Sequence, residues 1–198
     1  FCSYPTIDGN RVRHLGIERF ISGLKQIANE WAVNYFFFTD SVFNIGPAFN
    51  QELAKQMIAA KIQVQWGAFF SPKNLAYDDL ALFKEAGLSH VELGSDRFSD
   101  TMLRQYKKSF GFDEIQSVSE SCAQLSIPFA HFLIFGGPGE TEASLRETFN
   151  RARTLPPTVF FPALGVRVYP NTPISRLCIQ ERLIQSEQDL IQPFFYPS

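Results

Sequence analysis

The segment that most constrains this chain is the apolar run Phe132–Phe135 with the turn that follows it, Gly136-Gly137-Pro138-Gly139-Glu140-Thr141. An uninterrupted apolar run of this kind reads as a strand buried on both faces of a parallel sheet. Glycines just past such a strand let a ligand approach the backbone. Glu140 and Thr141 stand where the next helix opens. In α/β proteins the carboxyl ends of parallel strands are where binding sites are built. A strand-to-helix turn also needs glycine for steric reasons alone, so the rest of the chain has to decide.

The remaining sequence alternates in the same way. Helical spacing marks Glu18–Trp31, Pro47–Lys61, Asn74–Ala86, Ser99–Lys107, Asp113–Leu125 and Thr141–Leu155. Between them Tyr35–Thr39, Gln63–Phe69, His90–Leu93, Phe129–Phe135 and Val159–Tyr169 read as strands. Regular strand–helix alternation with apolar strands predicts an α/β fold with a parallel sheet. A complete eightfold barrel takes about 250 residues, and this chain has 198. The reading is therefore a partial (β/α)6 TIM-like barrel whose first strand lies upstream of Phe1. Residues 1–173 form its core, and 174–198, where the alternation stops, form a C-terminal extension.

Composition narrows the function. A formal net charge of -2 gives no electrostatic footprint for nucleic acid. No apolar run is long enough to span a bilayer, and no signal segment opens the chain, so a cytoplasmic location is expected. The 21 phenylalanines imply an aromatic core or a lined cavity. Tyr35-Phe36-Phe37-Phe38 and Phe69-Phe70 fall on strands, which favours the core. Three widely spaced cysteines argue against a disulfide framework. Cys122 and Cys178 read as small buried hydrophobes. Cys2 stands apart, between an aromatic residue and Ser3-Tyr4-Pro5.

In such a sheet, residues beyond each strand converge on one rim. That rim collects Cys2, Asp40, the stretch Glu92 to Arg97 with Ser95, the Gly136–Glu140 turn, and Arg167. Asp40 and Glu92 can hold hydroxyl or ammonium groups; Arg97 or Lys108 can hold a carboxylate. Each has a plainer reading. Asp40 can cap a turn, Asp96 and Arg97 can pair with each other, and Lys107 and Lys108 can be a solvated face. Glu92 should point away from Val91 and Leu93, into the barrel, where a lone acid needs a partner. The three histidines show no metal-ligand spacing, and His131 reads as a satisfied core residue.

Together these segments resemble the radical S-adenosylmethionine (radical SAM) superfamily, in particular the subgroup that often carries an N-terminal cobalamin-binding domain. Phe1-Cys2-Ser3-Tyr4-Pro5 is similar to the end of that family's Cys-x3-Cys-x2-Cys loop. Phe38-Thr39-Asp40-Ser41-Val42-Phe43-Asn44 is similar to the segment after its second strand, and Glu92-Leu93-Gly94-Ser95-Asp96 to the one after its fourth. Leu103 to Phe110, with its basic residues, matches the helix end that follows. Phe135 to Glu140 resembles the glycine-rich fifth-strand motif, and Val166 to Pro173 the sixth-strand segment and its Tyr-Pro-x-Thr-Pro turn.

The resemblance implies a [4Fe–4S] cluster with Cys2 as one thiolate and two further cysteines upstream. It implies S-adenosylmethionine (SAM) held by Asp40, Glu92, Ser95, Lys108, Gly136, Gly137, Glu140 and Arg167. It further implies reductive cleavage to a 5′-deoxyadenosyl radical for hydrogen abstraction or methyl transfer, a small-molecule substrate, and an electron donor such as flavodoxin or ferredoxin. Cobalamin is a possible further cofactor of the intact protein. A chain with Cys2 alone at the cluster loop is expected to be an inactive fragment. Two other readings stand beside this one. The first is a non-radical α/β-barrel hydrolase or lyase using Glu92 and Lys108; the second is a catalytically dead nucleotide-binding module.

Overall fold

The computed structural model describes residues 2–7, 9 and 11–197. Phe1, part of the first motif quoted above, lies outside them. Five strands form one sheet: β1 (Tyr35–Phe38), β2 (Gln65–Phe70), β3 (Leu88–Asp96), β4 (Phe129–Phe135) and β5 (Val159–Leu164). Their spatial order is their chain order, and every neighbouring pair is parallel. A doubly wound sheet reverses its strand order at a switch point. This sheet does not, so it is the wall of a partial barrel. The parallel α/β reading holds, with five parallel strands among the described residues.

The helices are α1 (Tyr4–Ile7), α2 (Ile17–Trp31), α3 (Pro47–Ala59), α4 (Tyr77–Glu85), α5 (Asp100–Gln105), α6 (Phe112–Gln124), α7 (Glu142–Ala152) and α8 (Pro173–Gln180). Their ends follow local chemistry. The Asp79 carboxylate accepts the Ala76 N–H at 3.0 Å, and Gly87 follows the end of α4 as expected. Thr141 Oγ1 accepts the Ser144 N–H at 3.2 Å and caps α7. Helix α2 packs Ile17, Phe20, Ile21 and Leu24 against the core. Its predicted apolar stripe runs further than its contacts do, because Ile27 and Trp31 are exposed.

Burial alternates along the strands. In β4, Phe129, His131, Leu133 and Phe135 are buried towards the helices, while Ala130, Phe132 and Ile134 are half-buried on the other face. One core joins β1, β2 and β3 to α2, α3, α4 and α6 around Trp66, Phe83, Val91 and Leu93. A second joins Phe98, Ile115, Leu133 and Phe135. The inner face is lined by Phe37, Phe69, Phe132 and Phe161, whose rings touch in sequence at 5.2, 5.8 and 5.0 Å. The phenylalanines thus serve both faces, where the sequence reading favoured the core.

The predicted strand Val159–Tyr169 is corrected. It breaks at Gly165, whose φ of 85° ends the parallel pairing. The Gly165 N–H still donates to the Phe135 carbonyl at 2.7 Å. Beyond it, β6 (Arg167–Val168) pairs antiparallel with β7 (Phe194–Phe195). Val166, Val168, Ile174, Cys178 and Ile184 then form a small third core. Pro162 is tolerated in β5 because that strand has a neighbour on one side only.

His131 is a core residue, as read. It has no solvent exposure; Nδ1 lies 2.8 Å from Ser95 Oγ and Nε2 3.2 Å from Ser119 Oγ. Burial lowers its pKa from 6.5 to about 4. The unfolded chain therefore takes up this proton at a higher pH than the native protein does. Its contribution is complete above pH 6.5 and is lost as pH falls towards 4, on the order of 3 kcal/mol over that window. Urea unfolding across this range should show that loss in the natural protein and a shallower one in His131→Asn. Parallel curves for the two proteins would contradict the assignment.

Candidate active site

The carboxyl ends of β1, β2 and β3 open onto a cleft of about 710 Å³. This is the size range of small-molecule sites. Cys2, Asp40, Gly94, Asp96 and Lys108 line it, with Phe69 from the inner face. Cys2 and Asp40 are exposed. Lys108 Nζ lies 2.6 Å from Asp96 Oδ2 and donates to the Gly94 carbonyl at 3.3 Å. Burial raises the Asp96 pKa, and the neighbouring ammonium partly offsets this. Of the expected site residues, the structure brings Cys2, Asp40 and Lys108 together here, and adds Asp96.

The other expected residues stand elsewhere. The Ser95 side chain turns to the helix side, where its hydroxyl meets His131. Glu92 lies on the inner face beneath the cleft, 3.6 Å from His90. Arg167 is exposed on β6, its guanidinium 4.9 Å above the Tyr169 ring. Gly136, Gly137 and Glu140 form the turn after β4. The Gly136 N–H donates to Glu140 Oε2, and Glu140 Oε1 pairs with Arg97. Arg97 is fully buried, 4.2 Å above the Phe135 ring. Burial lowers its pKa, and a hydrogen bond with Tyr106 works against that shift. Gly137 carries no side chain because a Cβ would run into the Tyr106 hydroxyl.

The plainer reading, in which Asp96 and Arg97 pair with each other, is therefore set aside. The two side chains leave β3 in opposite directions, Asp96 to Lys108 and Arg97 to Glu140. Two backbone features direct this. The pairing of β3 with β4 is irregular between Leu93 and Asp96, and Asp96 has a φ of 56°. Neither leaves a mark that single-residue propensities would reveal, so Asp96 was placed on the rim but not among the residues expected to hold SAM.

Comparison with known proteins agrees with this geometry. The sequence profile of the radical SAM superfamily matches residues 1–152. The chain belongs to the radical SAM superfamily. It is 22% identical over 184 residues to the tryptophan 2-C-methyltransferase of Streptomyces laurentii, covering 86% of this chain and 31% of that protein. It is 24% identical over 139 residues to the anaerobic magnesium-protoporphyrin IX monomethyl ester cyclase of Cereibacter sphaeroides, covering 68% of this chain and 23% of that one. The fold superimposes on the radical SAM methyltransferase TsrM of Kitasatospora setae, solved with cobalamin and a [4Fe–4S] cluster bound. The TM-score is 0.75 at 21% identity, over 86% of this chain and 35% of that one. It also superimposes on the cobalamin-dependent radical enzyme OxsB, with a TM-score of 0.73 at 11% identity, over 94% and 35%. The chain thus spans about a third or less of each relative's length.

A [4Fe–4S] cluster held by three thiolates can be tested against these residues. Cys2 is the one thiol at the cleft. Cys122 and Cys178 are fully buried in α6 and α8, and burial pushes the Cys122 thiol up to about 12. No group of three His, Cys, Asp or Glu side chains is placed to hold a metal among the described residues. These residues place one thiol at the cleft and do not make up a set of three, so no chemical step is derived through a cluster.

The buried Arg97–Glu140 pair has a testable consequence. Arg97→Met leaves the Glu140 carboxylate without its cation and should cost about 3–5 kcal/mol in urea unfolding. Adding Glu140→Gln should recover more than half of the loss. An equal loss in the single and double variants would show that the pair is not its source.

Proposed function

We propose that this chain is the core of a radical SAM enzyme, a methyltransferase or oxidoreductase, and that the cleft at the ends of β1, β2 and β3 holds SAM. Residues 1–173 make up the core and 174–198 an extension. The observation that carries this reading is the convergence of Cys2, Asp40 and Lys108 on one cleft, in a chain whose first 152 residues match the superfamily profile.

The cleft's donor set suits SAM. Asp40 is positioned to accept from an ammonium group, and Lys108 to donate to a carboxylate. The Asp96 carboxylate keeps the Lys108 ammonium at the cleft wall. Gly94 leaves backbone bare between them; a Cβ there would meet nothing closer than 3.9 Å. Below, the ring-lined inner face keeps water from the reacting atoms and offers few groups that a radical could attack. A cluster whose thiolate set were completed would supply the electron for reductive cleavage of SAM; that chemistry would belong to the cofactors, which Cys2, Asp40 and Lys108 would position. We assign Cys2 as one cluster thiolate. Cobalamin is included for the intact protein, supported by the likeness to TsrM and OxsB. An external electron donor of the flavodoxin or ferredoxin class and a cytoplasmic location complete the reading. Among the described residues no helix is long and apolar enough to cross a membrane.

The test uses the intact protein, reconstituted anaerobically with iron and sulfide, reduced, and supplied with SAM. It should form 5′-deoxyadenosine, and Cys2→Ala should form none and lose cluster absorbance. Asp40 is exposed, so Asp40→Asn should leave the melting temperature unchanged while weakening SAM binding roughly tenfold. A Cys2→Ala protein that keeps both cluster and product would refute the role given to Cys2.

A further inference from the structure

A second cavity, of about 490 Å³, lies between α2, α3 and the end of β1. Phe20 from α2, Phe38 from β1, Phe43, and Phe49 and Leu53 from α3 line it. Phe38, Phe43 and Leu53 are buried and make its floor, whereas Val12 and Leu15 are exposed at its mouth. Asp40, Val42 and Ile45 line both this cavity and the larger cleft, so the two adjoin.

One polar side chain stands on the apolar floor. Helix α3 buries Asn50, Leu53, Ala54 and Met57 on one face, the spacing of a helix packed on a core. Asparagine is a weak helix former, and its amide costs free energy when buried without a partner. Asn50 is 4% exposed, and its Oδ1 meets no hydrogen-bond partner among the described residues. Asn44, buried nearby, is the contrast. Its Nδ2 donates to the Ser71 and Lys73 carbonyls at 2.9 and 3.0 Å, and its Oδ1 accepts the Ser71 N–H at 2.8 Å. The Asn44 amide ties a loop together. That of Asn50 lines the cavity instead.

This lining sets what fits. Rings and aliphatic side chains favour an apolar body. A carboxylate or ammonium carried to the floor would lose its hydration with no counter-charge there, because the charged lining residues, Arg13 and Asp40, stand at the exposed end. A hydroxyl both donates and accepts, so one neutral group satisfies the amide oxygen and its nitrogen together.

We propose that this cavity is a second small-molecule site, and that it takes a neutral, apolar alcohol whose hydroxyl donates to Asn50 Oδ1. The site goes beyond the radical SAM reading and does not depend on it.

The experiment titrates the intact protein, without SAM, with three probes followed by saturation-transfer NMR. They are cyclohexylmethanol, (fluoromethyl)cyclohexane, which has nearly the same shape but no donor, and cyclohexanecarboxylate. The alcohol should bind about tenfold more tightly than either of the others. Asn50→Leu should remove that preference by weakening the alcohol and leaving the fluoride unchanged. It should also raise the melting temperature, because an unpaired buried amide gives way to an apolar side chain. Leu15→Trp, at the exposed mouth, should weaken alcohol and fluoride alike without altering the melting temperature. Equal binding of alcohol and fluoride by the natural protein, or binding of neither, would overturn the site. So would an Asn50→Leu protein that keeps the preference, or one that melts lower, since the amide would then serve the fold.

Discussion

A guanidinium with no solvent exposure is tolerable only where its charge is met, and Arg97 is met from two sides. Glu140 reaches it from the turn after β4 and Tyr106 from the end of α5. Because the same carboxylate also receives the Gly136 N–H, the end of β3 and the turn after β4 are fixed to one another. The glycine turn that dominates the sequence is thus held from behind by a buried charge pair. A pair of this kind adds little net stability over an apolar substitute, but breaking it is costly. Its consequence is positional, since the rim of the barrel wall inherits its spacing from it.

The sheet's two faces divide the work. Towards the helices, Trp66, Val91, Leu93 and Leu133 form continuous cores, and the one imidazole there is satisfied by two serines and kept neutral. Towards the inside, the half-buried rings of Phe37, Phe69 and Phe132 leave a wall that is apolar but not filled. Strand alternation, with the irregular backbone at Asp96, decides which polar residue goes where. Ser95 joins the core network, whereas Glu92 and Asp96 stay on the side of the cleft.

Much of this was legible in the sequence. The alternation of helical and strand-like segments identified the parallel α/β wall, and Thr141 was placed where α7 opens. Cys2, Asp40 and Lys108 were placed on the rim and do meet there. What was not legible depends on backbone geometry or on partners distant in sequence. Gly165 sits inside an apolar run, and nothing local says that its φ will be positive and end the strand. Asp96 and Arg97 are neighbours of opposite charge, so a pairing between them stood as the plainer alternative. A β-strand sends neighbours to opposite faces, and each finds a partner further along the chain, Lys108 and Glu140 respectively.

The spacing of acids along β3 ties these observations together. Glu92, Gly94 and Asp96 occupy successive positions on the side that faces the cleft, with glycine between two carboxylates. The upper carboxylate already has its ammonium in Lys108. The lower one lies 3.6 Å from His90 Nε2 instead. Placing any larger side chain at position 94 would fill the space between them, yet the protein's own packing does not require glycine there, since the nearest atom to a Cβ would be 3.9 Å away. The room at Gly94 is part of the cleft that the proposed function assigns to SAM.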